Sequence, residues 1–163
     1  MIVDLKWYEF FAAASTGILR KSQSIALEHK DAYGAVFNPV NDVGWQVVSG
    51  ASEMACASAL KRYYSHPVNT FKAPDIEPHY EVKCQMHKTI DASKQENYLI
   101  IRDNMEDNYY YILVLCHSLT RYEVVGYIKG ADGKQKEWQR QIGNRPPFYA
   151  VPILSLTPIE IIQ

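Results

Sequence analysis

The sequence is poor in cysteine, carries almost no net charge and lacks any apolar run long enough to cross a bilayer. Cys56, Cys84 and Cys116 stand far apart with no Cys-x-x-Cys pair, which argues against a disulfide framework or a thiolate zinc site and suits reduced thiols in a cytoplasm. A formal net charge of -1 argues against a protein that coats nucleic acid through a basic surplus. Lysine and arginine gather only locally, at Arg20-Lys21, at Lys61-Arg62 and between Lys129 and Arg140. Met1-Ile2-Val3-Asp4-Leu5-Lys6 puts an acid where a secretory leader needs a cationic flank, so a soluble cytoplasmic protein is expected, with no membrane partner.

Several catalytic signatures are missing as well. There is no Gly-x-Ser-x-Gly elbow, and no cysteine stands beside a candidate base. Gly130-Ala131-Asp132-Gly133-Lys134 lacks the glycine spacing and hydroxyl partner of a phosphate loop. The five histidines offer no ligand pair at strand or helix spacing, apart from His79 and His87 flanking one short stretch, which disfavours a zinc enzyme.

What is present fits one globular domain over residues 1–163, with 47% hydrophobic and 21% charged residues. Apolar spacing predicts a helix from Asp4 to about Ala14, an interruption at Gly17, and a second helix from Ile18 to Tyr33 that stops at Gly34. Asp42 is the expected N-cap of the longest helix, running to about Tyr64. Its Gly50, Ala51, Ser52, Ala55, Ala57, Ser58 and Ala59 are small enough for a neighbour to pack very closely. Tyr98–Ile101, Tyr109–Leu115 and Tyr122–Ile128 read as strands, with Thr89–Glu96 as a polar connection. Tyr109–Leu115 is apolar on both faces and is expected at the centre of a sheet covered on both sides. A helical turn is expected near Trp138–Gly143 and a last short strand at Phe148–Ile153. The fold class is therefore α/β (α+β): a central mixed sheet of about five strands with N-terminal helices packed on it.

The most informative stretch lies between the long helix and those strands. Tyr80, Val82, Cys84 and Met86 alternate with Glu81, Lys83, Gln85 and His87, the period of a strand with one face in a core and one presenting polar groups. Phe71-Lys72-Ala73 reads as the end of a preceding strand and Glu77-Pro78-His79 as the turn, so the pair forms a hairpin. A three-residue loop sets Asp75 opposite Glu81 on one face, whereas a two-residue loop separates them. The three-residue register is the expectation. An ordinary hairpin with a charged solvent face carries the same letters, since cross-strand pairs of opposite sign help slightly.

Asp75 after Pro74, followed by Glu81-Val82-Lys83, resembles the signature of the PD-(D/E)XK nuclease superfamily, whose fold is restriction-endonuclease-like. Tyr122–Gly130, a tryptophan soon after and the Pro146-Pro147-Phe148 segment are similar to small phage-encoded members. The resemblance implies a core over residues 42–128, an N-terminal helical extension over 1–41 and a C-terminal extension over 129–163. It implies Asp75 and Glu81 as ligands of Mg²⁺ or Mn²⁺, joined by the Val82 carbonyl and by Glu53 from the upstream helix. Lys83 is then the residue that assists water or the transition state, and Gln85, two residues along the same face, orients water or touches phosphate. The implied function is hydrolysis of phosphodiester bonds in DNA by a metal-dependent nuclease, with nucleic acid as partner and a homodimer as one assembly. The alternative is a non-catalytic module of the same fold that binds DNA or a host protein.

Overall fold

The computed structural model describes residues 1–28, 38–68, 73–87 and 97–161. Its elements in order are β1 (Ile2–Asp4), α1 (Trp7–Ala26), α2 (Pro39–Ala59), β2 (Tyr80–Met86), β3 (Tyr98–Arg102), β4 (Tyr110–Cys116), β5 (Arg121–Lys129), α3 (Gly130–Gly133), β6 (Gln139–Arg140), β7 (Phe148–Pro152) and β8 (Thr157–Pro158), with single 3₁₀ turns at Lys136–Trp138, Ile153–Ser155 and Ile159–Ile161. The expected mixed α/β architecture with a five-stranded sheet is present. Four strands run in the order β1-β5-β4-β2, and β8 also pairs with β5. The β2–β4 pair is parallel and the others are antiparallel.

Strand β4 lies inside the sheet, between β5 and β2, as its unbroken apolar run predicts. Ile112, Val114 and Cys116 enter one core with Val82 and the small residues of α2, while Tyr111, Leu113 and Leu115 enter a second core with Leu99, Ile101 and Val151. A strand whose two faces are both buried has no solvent side, hence no alternation of polar residues. The second core shows where the expectation fails. Leu99 and Ile101 lie in β3, which leaves the main sheet and builds a separate three-stranded sheet in the order β3-β7-β6. The layers are therefore helices, main sheet and small sheet.

The N-terminal region differs from the expectation in three ways. Asp4 ends a strand antiparallel to β5 and caps no helix; the helix begins at Trp7, where the Glu9 carboxylate accepts the Lys6 N–H at 2.8 Å. The two short helices are one, because Gly17 does not break it. A Cβ at Gly17 would sit 2.0 Å from the Gln46 carbonyl oxygen, and one at Gly50 would sit 2.5 Å from that of Ala13. Glycine is there for the close approach of α1 to α2, worth more in packing than its helix propensity costs. The long helix starts earlier, with Pro39 in its first turn and Asn38 Oδ1 accepting the Asn41 N–H, and it ends at Ala59 rather than Tyr64. Asp42 sits in its first turn, paired with Lys21.

Further on, the helical turn spans Lys136–Trp138, ending at the residue where the expected turn begins, and leads into β6. Gly130–Gly133, read as a loop, forms the short helix α3. The helix expected to run to Tyr33 ends at Ala26, where the Leu27 N–H closes the last turn on the Gln23 carbonyl, and the expected strand end at Phe71-Lys72, the connection over 89–96 and Gly34 lie outside the described residues. Among the described residues, no helix is long and apolar enough to cross a membrane. On α1, Trp7, Phe11, Ile18 and Ile25 remain exposed.

Candidate metal centre

The hairpin takes the three-residue register. Ile76 and Tyr80 exchange both backbone hydrogen bonds at 3.0 Å, with Glu77-Pro78-His79 as the loop and a cis peptide bond before Pro78. Counting outward from that bridge, Asp75 falls opposite Glu81. Tyr80 and Val82 are buried in the helix-side core, so Glu81 and Lys83 occupy the other face, each side chain 23% exposed. Their charged ends meet, with Lys83 Nζ 2.7 Å from Glu81 Oε1. Lys83 also lies 6.0 Å from the ring of Tyr111 in the adjacent strand.

Asp75 stands at the edge of β2. Its Oδ2 accepts the Val82 N–H at 2.8 Å, a donor that points away from β4 and would otherwise be left open at the end of the sheet. A residue's N–H and C=O leave a strand on the same side, so the Val82 carbonyl also faces that edge. Burial raises the Asp75 carboxyl from its ordinary 3.8 to about 8; the neighbouring charges of Glu53 and Glu81 push the same way, and Lys83 and the Val82 N–H push back. Glu81 has Lys83 as its cation and Asp75 has none bonded to it among the described residues, so burial and the nearby carboxylates keep the Asp75 proton on.

Glu53 comes from α2 and is 2% exposed, turned inward as expected. It does not stand free beside Asp75. The Arg20 guanidinium donates to both its oxygens at 2.6 Å, Tyr64 Oη donates to Oε2 at 2.8 Å and Ser49 Oγ to Oε1 at 3.4 Å. A carboxylate has about four lone-pair positions, and four donors occupy them, which leaves none for an ion. Burial alone would lower the Arg20 pKa, but its bonds to Glu53 and that charge raise it, so the guanidinium keeps its charge. Arg20 was visible in the sequence only as part of a local basic cluster; a bidentate partner 33 residues away has no local signal.

Gln85 shares the face of Glu81 and Lys83 but is engaged elsewhere. Its Nε2 donates to the Tyr98 carbonyl at 2.7 Å, fastening β3 to the main sheet. His79 caps the hairpin end, its carbonyl accepting the Tyr110 N–H at 2.9 Å. The Arg62 guanidinium lies 5.1 Å from the Tyr80 ring, which sets an exposed cation beside the hairpin. At this end of β2, Asp75 is bonded to Val82 and Glu81 to Lys83, whereas Glu53 is bonded to Arg20 and Gln85 is a strut. The acidic trio is not drawn within 4.8 Å; among the described residues that closeness belongs to His87, His117 and Glu123, a grouping that spacing along the chain does not reveal.

The donor set at the hairpin is the kind a hard divalent cation takes: two carboxyl groups and a backbone carbonyl, all oxygen. Comparison of the chain with family models, with curated proteins and with solved structures finds no match.

Proposed function

We propose that the chain is a metal-dependent nuclease that hydrolyses phosphodiester bonds, with Asp75, Glu81 and the Val82 carbonyl holding Mg²⁺ or Mn²⁺ and Lys83 acting beside them. The observation that carries this reading is the hairpin register, which puts Asp75 opposite Glu81 at an open sheet edge with Lys83 on the same face. When bound, the cation would lower the charge on the scissile phosphate and acidify water. To serve as a ligand Asp75 would give up its proton, and the positive charge of the cation would offset the burial and the repulsion from Glu53 and Glu81 that hold that proton on. Lys83 Nζ, released from Glu81, meets the charge that develops on the attacked phosphate. Glu53 keeps Arg20 as partner and serves as a positioning residue. Arg62 offers a cationic contact for a flanking phosphate.

The test is cleavage of duplex, branched and single-stranded DNA and of RNA with Mg²⁺ or Mn²⁺. Wild type should cut at least one substrate, Asp75→Asn and Lys83→Ala should not, and Ca²⁺ should support binding without turnover. Failure of the wild type on every substrate with both metals would overturn the reading. The exposed Trp7, Phe11 and Ile18 of α1 favour the second reading, a module that binds DNA or a host protein, or that pairs with its own copy, without cutting. That reading predicts a complex that survives Asp75→Asn and is lost on Trp7→Ala.

A further inference from the structure

The parallel β2–β4 ladder ends with Met86 opposite Cys116, so the next residues, His87 and His117, leave the sheet side by side. The His87 N–H donates to the Cys116 carbonyl at 2.8 Å and the His117 N–H to the Arg121 carbonyl at 2.9 Å, which fixes both backbones. The two imidazoles stack with centroids 4.0 Å apart and planes 23° from parallel. From β5, Glu123 reaches the same place, its Oε2 2.9 Å from His117 Nε2. One ligand atom from each of the three lies within 4.8 Å of the other two.

We infer that His87, His117 and Glu123 form a second metal site, one for a borderline transition ion of the Zn²⁺ class. Two imidazole nitrogens and a carboxylate oxygen are the donors such ions take, whereas Mg²⁺ prefers oxygen alone. Ligand bonds of about 2.1 Å put the donor atoms of a tetrahedral site roughly 3.4 Å apart. Reaching that from the present spacing takes only side-chain rotation, and the His117 and Glu123 side chains are 24% and 35% exposed, open enough to turn. Three protein ligands leave one position for water. The site is separate from the hairpin centre: His87 follows Glu81 by six residues of strand, about 20 Å at the usual rise. Its effect is to clip the ends of β2 and β4 to β5, so ion binding stabilises the strand that carries Glu81 and Lys83.

The experiment uses the tag-free, chelator-stripped 163-residue chain, titrated with Zn²⁺ by calorimetry and with Co²⁺ by visible absorption. One equivalent of Zn²⁺ should bind with a micromolar or tighter Kd and raise the melting temperature, and Co²⁺ should give ligand-field bands that Zn²⁺ removes. His117→Ala and His87→Gln should each abolish the bands, Glu123→Gln should weaken binding at least tenfold, and Asp75→Asn should change none of these. Circular dichroism checks that each variant is folded. No saturable 1:1 binding, or bands that persist in both histidine variants, would overturn the site and leave a stacked, hydrogen-bonded side-chain cluster. Loss of Zn²⁺ binding in Asp75→Asn would likewise contradict a separate site.

Discussion

Replacing Asp75 by Asn should make the metal-free protein more stable at alkaline pH while removing its response to Mg²⁺. Asparagine keeps the shape of the side chain and an oxygen that can accept the Val82 N–H, so only the charge is lost. In the folded chain the Asp75 carboxyl holds its proton to about 8, against 3.8 ordinarily, chiefly because of burial and then because of Glu53 and Glu81. Between those values the native state binds a proton that the unfolded chain has released, so its contribution to stability is lost as pH rises from about 4 to about 8. Ionising it therefore costs on the order of a few kcal/mol, given about 1.4 kcal/mol per tenfold change in proton affinity and some screening at the sheet edge. Urea titrations in chelator from pH 5 to 9 should show wild type losing stability across that window relative to Asp75→Asn. At pH 9 the variant should be ahead, by roughly 5–10 °C in melting temperature for a chain of this size. Mg²⁺ at pH 8 should stabilise wild type and not the variant, because a ligand that binds only the folded state adds stability by mass action. A variant that is less stable than wild type at pH 9, with the same slope, would show that Asp75 is ionised and satisfied without metal.

Three other outcomes follow from the contacts. Lys83→Ala should abolish cutting yet change stability by less than about 1 kcal/mol in urea, because its pair with Glu81 is partly exposed. Arg20→Ala strands the buried Glu53 carboxylate and should cost about 3–5 kcal/mol in the same measurement; Arg20→Ala combined with Glu53→Gln should recover part of that loss. Gly17→Ala should destabilise by about 1–3 kcal/mol or more, since the added methyl meets the Gln46 carbonyl and the helices must part.

What could be seen in the sequence was local. The alternation from Tyr80 to Met86 and the proline in Glu77-Pro78-His79 were enough for the register that sets Asp75 opposite Glu81, and the apolar run of β4 announced a strand covered on both faces. What could not be seen depends on pairings between distant segments. Tyr98–Arg102 has the letters of a main-sheet strand, and only its pairing with Phe148–Pro152 assigns it to the second sheet. Gly17 signals a break unless the Gln46 backbone is known to press on it. Arg20 and Glu53 satisfy each other across 33 residues, so the carboxylate expected as a ligand is already bonded. His87 and His117 become neighbours only through the parallel register of β2 and β4.

The most direct measurement is anomalous diffraction from crystals grown with Mn²⁺. A peak is expected at the edge of β2, bound by the carboxylates of Asp75 and Glu81 and by the Val82 carbonyl, with Glu53 still on Arg20 and no such peak in Asp75→Asn crystals. A fully occupied Mn²⁺ elsewhere, with the hairpin empty and Lys83 still bound to Glu81, would contradict a metal centre there.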